Sequence, residues 1–251
     1  MMGVFVKLFR TAPLLALGFA LLAGCGDTEP DDAKPTPPAK DGAAKTDVVK
    51  PADPPTATKE APAAPEPTPI PADAHPALKD PSLAVEQAPA TYKARFETSE
   101  GDFVIEVHRD WAPNGADRFF NLVKVGYFHN ARFFRNVPGF MVQWGMSAYP
   151  ESTAVWQKAT IEDDPVKQSN KPLYVTFAKT GAPNSRSTQI FINQGSNERL
   201  DGMGFAPFGQ VVEGADVVAK LYGGYGDGPP GGRGPRQDII GRFGNAYLES
   251  E

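Results

Sequence analysis

Residues 91–251 are predicted to form one mainly β domain, a sandwich or a barrel, on three observations. Short apolar runs with strand character recur between glycine and proline turns. Only two segments read as helices. All 23 aromatic residues beyond the first 25 positions lie between Tyr92 and Tyr247, so a core has its material there and not upstream.

In chain order the domain opens with a hairpin. Tyr92–Thr98 and Asp102–His108 alternate apolar and polar residues around Ser99-Glu100-Gly101. Phe103, Ile105 and Val107 face one way; Asp102, Val104 and Glu106 face the other. Pro113 stands where a helix can begin. Ala116, Phe119, Phe120 and Val123 follow at i, i+3, i+4 and i+7, and Gly126 marks the end. Further strands are expected at Phe133–Val137, Phe140–Gly145, Leu173–Ala178, Gln189–Asn193 and Phe208–Val212, with a second helix at Ala215–Leu221. Gly223–Arg236 reads as an irregular loop, and the tail to Glu251 shows no pattern.

Upstream the composition changes twice. Residues 1–25 carry Lys7 and Arg10, then an uncharged run from Thr11 to Gly24. That run is shorter than the ~20 residues a spanning helix needs, and it fits an export signal. Leu22-Ala23-Gly24-Cys25 resembles the lipobox of bacterial lipoproteins. The resemblance implies cleavage after residue 24 and lipid on Cys25, the only cysteine in the chain. Residues 25–90 then read as a disordered, lipid-anchored linker. Between 26 and 90 there are 15 of the 26 prolines and no aromatic residue, too little apolar surface to offset chain entropy. The expected plan is therefore a signal peptide at 1–24, a linker at 25–90 and a domain at 91–251.

Charge and cysteine count exclude several functions. The folded segment carries 17 basic against 18 acidic residues, so no basic face is expected to neutralise phosphates, and nucleic acid is excluded as a partner. One cysteine permits no internal disulfide. Three histidines without a Cys/His cluster argue against a zinc site.

The chemistry concentrates in Phe133-Phe134-Arg135-Asn136-Val137-Pro138-Gly139-Phe140-Met141-Val142-Gln143. Pro138-Gly139 makes a turn between two strands. Met141 and Gln143 point to one face of the second strand and Val142 to the other. Arg135 sits in an otherwise apolar strand. Its spacing alone fits either an edge arginine reaching water or one facing a cleft, because burial without a partner is costly.

This run resembles the signature of the cyclophilins, peptidyl-prolyl cis–trans isomerases. Val175-Thr176-Phe177-Ala178, Pro183-Asn184, Thr188-Gln189-Ile190-Phe191-Ile192, Leu200-Asp201-Gly202 and Phe208–Gly214 resemble later stretches of the same family, and Asp117–Leu122 its first helix. The resemblance spans about residues 96–221. It implies a closed eight-stranded antiparallel barrel capped by two helices, with a groove on its outer face. It also implies that Arg135 is catalytic. Phe140, Met141, Phe191 and Leu200 would wall a proline pocket, Gln143 would bond substrate backbone and steady the arginine, and Ala178 and Gln189 would line the groove. No cofactor or metal is implied, and the partners are proline-containing polypeptides.

Two departures stand out. Arg199 precedes Leu200 where many members carry tryptophan. The family's groove histidine has no counterpart, and Phe205 is expected to supply an apolar wall there. His108 and His129 lie outside these motifs and read as surface or packing residues. Glu162-Asp163-Asp164 reads as a solvated loop in preference to a cation site. The expected function is prolyl isomerisation in exported proteins by a monomeric, lipid-tethered enzyme of the cell envelope. A proline-binding module without turnover and a structural envelope lipoprotein are the alternatives.

Overall fold

The computed structural model describes residues 5–10 and 66–251. Contacts group Met1–Ala12 with Ala64–Glu251, apart from Pro13–Ala63. That second unit, with Cys25 and most of the expected linker, lies outside the described residues.

Among the described residues, eight strands build one antiparallel sheet. They are β1 (Phe5–Arg10), β2 (Thr91–Thr98), β3 (Gly101–His108), β4 (Arg135–Val137), β5 (Met141–Trp144), β6 (Tyr174–Phe177), β7 (Ile190–Asn193) and β8 (Pro207–Glu213). Five helices accompany them: α1 (Pro113–Lys124), α2 (Pro150–Trp156), α3 (Ala215–Lys220), α4 (Gln237–Phe243) and α5 (Asn245–Leu248). The sheet order is β1-β2-β3-β8-β6-β7-β5-β4.

The expected closure of the barrel is not shown among the described residues. The sheet makes a half-barrel whose edges, β1 and β4, do not pair with each other. The reason lies partly at β4, which is three residues long. Its outer backbone is taken by a loop: Asn136 N donates to the Gly226 carbonyl at 3.1 Å, and Asn136 Nδ2 to that of Leu221 at 2.8 Å.

At the opposite edge, residues 5–10, read from the sequence as part of an export signal, pair with β2. Val6 stands opposite Phe96 and Leu8 opposite Ala94. Val6 is buried, whereas the intervening Lys7 is exposed and pairs with Glu97 Oε1 at 2.7 Å. That apolar–polar alternation fits an edge strand with one face on a core.

Residues upstream of the expected domain boundary at residue 91 also pack on the domain. Residues 76–78 and 81–83 form 3-10 turns, and Ala77 and Leu78 are buried in the main core. The indole of Trp156 donates to the Ala77 carbonyl at 2.9 Å, and Asp117 Oδ1 accepts from Ala88 N at 2.9 Å. This stretch has no aromatics of its own, but it packs against those of the domain.

The β2–β3 hairpin forms as expected, with Phe96 and Phe103 stacked at 4.9 Å. Trp144 meets Phe96 edge-on at 5.5 Å, and Phe119 of α1 packs on Phe208 of β8 at 5.1 Å. All five of these residues are 0% exposed. Burying such rings gives roughly 1.5–3 kcal/mol each and is the main source of stability here.

Helix α1 begins at Pro113, but its N-cap residue Ala112 has no side chain to accept the free N–H groups. Asp164 does so from a distance in sequence. Its Oδ1 accepts from Asn114 N at 3.0 Å and its Oδ2 from Gly115 N at 2.9 Å. A carboxylate there satisfies orphan donors and complements the helix dipole.

Candidate active site

Strand register places the key residues in one row. β4 and β5 pair with Arg135 opposite Gln143, and β5 and β7 pair with Gln143 opposite Phe191. Directly opposed residues share a face of a sheet. A guanidinium, an amide and a phenyl ring therefore project side by side, while Val142 and Ile192 point into the core behind them. The β4–β5 connection turns at Gly139, whose φ of 75° would strain any residue with a side chain.

The row ends in an apolar notch. Met141, Phe191 and Leu200 are buried there, with Phe140, Ala178 and Phe205 packed against them. Phe191 and Phe205 meet edge-on, their centroids 6.0 Å apart. Two notch walls share a brace. Asn170 Nδ2 donates to Asp201 Oδ1 at 2.7 Å, next to Leu200, and to the Phe205 carbonyl at 2.8 Å. Burial raises the Asp201 pKa, but hydrogen bonds from Ser169 and Asn170 outweigh it and hold the carboxyl below its usual range.

The polar side is a relay of side chains. Arg135 Nη1 donates to Gln143 Oε1 at 3.0 Å, and Gln143 Nε2 donates to Gln189 Oε1 at 2.7 Å. Arg135 Nε donates to Asp227 Oδ1 at 2.5 Å. Its Nη2 has no partner among the described residues. The Arg135 guanidinium carbon lies 5.9 Å from the centre of the Phe140 ring. The resulting cleft has a volume of about 420 Å³.

Asp163 and Asp164 correct the solvated-loop reading. Arg186 Nη1 pairs with Asp164 Oδ2 at 3.0 Å, both side chains being 1% exposed. The Glu162 carbonyl accepts from Arg186 Nη2. Asp163 Oδ2 accepts from Lys179 Nζ at 3.2 Å and Asn184 N at 2.9 Å. Burial raises the Asp163 carboxyl, but the bonds from Asn184 and Lys179 and the nearby Lys179 and Arg186 charges lower it overall. These contacts fasten loop 179–187, which forms the far wall of the cleft. Among the described residues no group of three or more His, Cys, Asp or Glu side chains is placed to hold a metal ion.

Every residue expected in the groove lines it: Arg135, Phe140, Met141, Gln143, Ala178, Gln189, Phe191, Leu200 and Phe205. Arg199 stacks its guanidinium 4.7 Å from the Phe140 ring centre, covering that ring with a flat cation. His108 stacks on Trp111 at 4.3 Å, away from the cleft. His129 is half-buried, and burial lowers its imidazole pKa. The sequence reading missed Asp227 and the lining residues Gln157 and Gln237. Asp227 lies in a glycine-rich loop with no periodicity, and nothing local marks it as a partner of a residue 92 positions away.

The cleft thus joins an arginine N–H edge to an apolar notch on one face of the sheet. The family model described as "Cyclophilin type peptidyl-prolyl cis-trans isomerase/CLD" matches residues 93–240. Peptidyl-prolyl cis-trans isomerase B of Escherichia coli is 37% identical over 141 residues, 51% of this chain and 82% of that protein. A peptidyl-prolyl cis-trans isomerase of Acinetobacter baylyi is 32% identical over 142 residues, 53% of this chain and 72% of its own length. A crystal structure of a cyclophilin type isomerase from Cryptosporidium parvum aligns at a TM-score of 0.46 and 24% identity, covering 52% of this chain and 83% of that one. The chain belongs to the cyclophilin-type peptidyl-prolyl cis–trans isomerases.

Proposed function

We propose that this cyclophilin is held at a membrane by lipid on Cys25 and turns prolyl bonds in polypeptides that have left the cytoplasm. Arg135 is the catalytic residue in this reading. The observation that carries it is the row Arg135–Gln143–Phe191 on one face of the sheet.

An X-Pro bond rotates slowly because amide resonance sets a barrier of ~18–20 kcal/mol. In the twisted transition state the prolyl nitrogen regains its lone pair. A guanidinium N–H can donate to that pair, which is absent in the planar ground state. Interactions made only in the transition state are those that raise the rate. The notch of Met141, Phe191, Leu200 and Phe205 holds the proline ring while the preceding carbonyl swings. Gln143, fixed between Arg135 and Gln189, orients the arginine and meets substrate backbone. The step needs no nucleophile, because no bond is made or broken.

The tether rests on the sequence. Lys7 and Arg10, the apolar run to Gly24 and a single cysteine at position 25 fit lipoprotein processing; cleavage after residue 24 would remove β1, so that in this reading the mature sheet runs from β2 to β4. Two or three acyl chains suffice for stable anchoring. The linker between Cys25 and the packed residues near 76 would give the domain reach above the membrane, where it works as a monomer. Expression of the full chain in a bacterium tests this. Wild type is expected in the membrane fraction with incorporated fatty acid, and Cys25→Ser in neither. Equal fractionation of the two proteins would refute the tether.

A further inference from the structure

We infer that Asp227 is a positioning residue for the isomerase reaction, holding the Arg135 guanidinium at the angle that the prolyl nitrogen requires. The inference deepens the isomerase reading and rests on it. A guanidinium anchored through one nitrogen can still swivel about that bond. Here two different nitrogens are anchored: Nε to Asp227 Oδ1 at 2.5 Å and Nη1 to Gln143 Oε1 at 3.0 Å. Two anchors fix the plane of a rigid fork and leave the Nη2 edge to face the cleft. A charge-assisted bond to a carboxylate is also stronger than one to an amide.

The carboxylate is itself held. Asp227 and Arg135 side chains are each 27% exposed, so the pair is not a loose surface contact. The preceding residue, Gly226, accepts from the backbone of Asn136, the neighbour of Arg135, at 3.1 Å. The Asp227 carbonyl accepts from Gly234 N at 2.8 Å, which closes the loop on itself. A Cβ on Gly232 would lie 2.2 Å from the Asp227 backbone carbonyl oxygen, so the chain passes over Asp227 at a distance that glycine permits. Tyr225 bonds the Leu248 carbonyl at 2.8 Å and ties the loop to α5. The glycine- and proline-rich segment is thereby a built support for the arginine.

The test uses the full-length chain and two readouts. For turnover, Asp227→Ala is expected to lower kcat on the order of tenfold or more with little change in KM, as a misaligned donor should. Asp227→Glu is expected to restore part of the loss. In an Arg135→Ala background, removing Asp227 should change nothing further. For position, the Arg135 Nε–H resonance should be displaced in Asp227→Ala and retained in Asp227→Glu. Wild-type kcat in Asp227→Ala, or an equal additional loss in the Arg135→Ala background, would overturn the inference. So would an unmoved Nε–H resonance. Because that resonance does not depend on turnover, an inactive wild-type protein would count against the isomerase reading, and the resonance would still decide whether Asp227 holds the arginine.

Discussion

Arg135 and Gln143 stand directly opposite each other on antiparallel strands and are joined by an Nη1–Oε1 hydrogen bond of 3.0 Å. A two-strand register thus sets the geometry of the groove. The turn at Pro138-Gly139 fixes that register, and a slip of one residue would send the arginine and the glutamine to opposite faces.

Replacing Arg135 with lysine keeps the charge and loses the planar fork. All three lysine donors sit on one nitrogen, so they lack the separated, coplanar N–H groups with which arginine spans Asp227 and Gln143. Arg135→Lys is expected to reduce kcat by about 10²-fold, the scale of losing one oriented transition-state donor. Peptide affinity should stay within a few-fold, measured by titration with a proline peptide. A lysine variant with wild-type kcat would show that charge alone suffices.

The notch offers two contrasting truncations. Phe191 is 4% exposed and packs against Met141 and Leu200, so Phe191→Ala leaves a cavity and should cost about 3–5 kcal/mol of stability as well as peptide affinity. Phe205 is only partly buried. Phe205→Ala should weaken peptide binding while leaving stability within about 1 kcal/mol. Denaturant unfolding and peptide titration together check both, and equal destabilisation by the two would contradict the packing described.

Asp164 and Arg186 form a buried ion pair, and Asp164 also accepts the first free N–H groups of α1. Asp164→Ala removes the buried partner of Arg186, leaving it only the more exposed Asp163 at 3.4 Å, and uncaps the helix. Breaking such a pair costs about 3–5 kcal/mol. Unfolding midpoints in urea should fall accordingly. A loss below about 1 kcal/mol would mean that the pair is dispensable.

Asp201 and Asp163 both have pKa values lowered in the folded state by their hydrogen bonds, against burial that raises them. A lowered folded pKa contributes stability that is present above the unfolded value of about 3.9 and is lost as pH falls through the folded value. Stability should therefore decline from about pH 4 downward, and Asp201→Asn should show a shallower decline than wild type. Urea unfolding at pH 5 and pH 3 measures both slopes. Identical slopes would remove Asp201 from this role.

The row of strands was legible in the sequence because period-2 alternation and Pro138-Gly139 declare it locally. Helix α1 was legible because its apolar residues recur at i, i+3, i+4 and i+7 from Ala116. Helix α2 is seven residues long and too short to display a periodic face. Residues 76–90 lack aromatics and read as linker, yet their order comes from contacts to Trp156, Asp117 and Asn121 far along the chain. Asp164 was read as a solvated acid because its partner, Arg186, follows 22 residues later in a loop. Asp227 was invisible for a related reason: its meaning lies in a partner on another element. What local pattern encodes was readable, and what tertiary pairing encodes was not.

The central claim is that the Arg135 guanidinium beside the Phe191 notch lowers the barrier to prolyl rotation. Exchange spectroscopy on an alanine–proline peptide with the full-length chain tests it most directly, since one experiment reports both binding and exchange. The wild-type chain is predicted to accelerate cis–trans exchange far above buffer. Arg135→Ala is predicted to keep the peptide-induced shifts of the notch and lose nearly all acceleration. Exchange in Arg135→Ala as fast as in wild type would contradict the account.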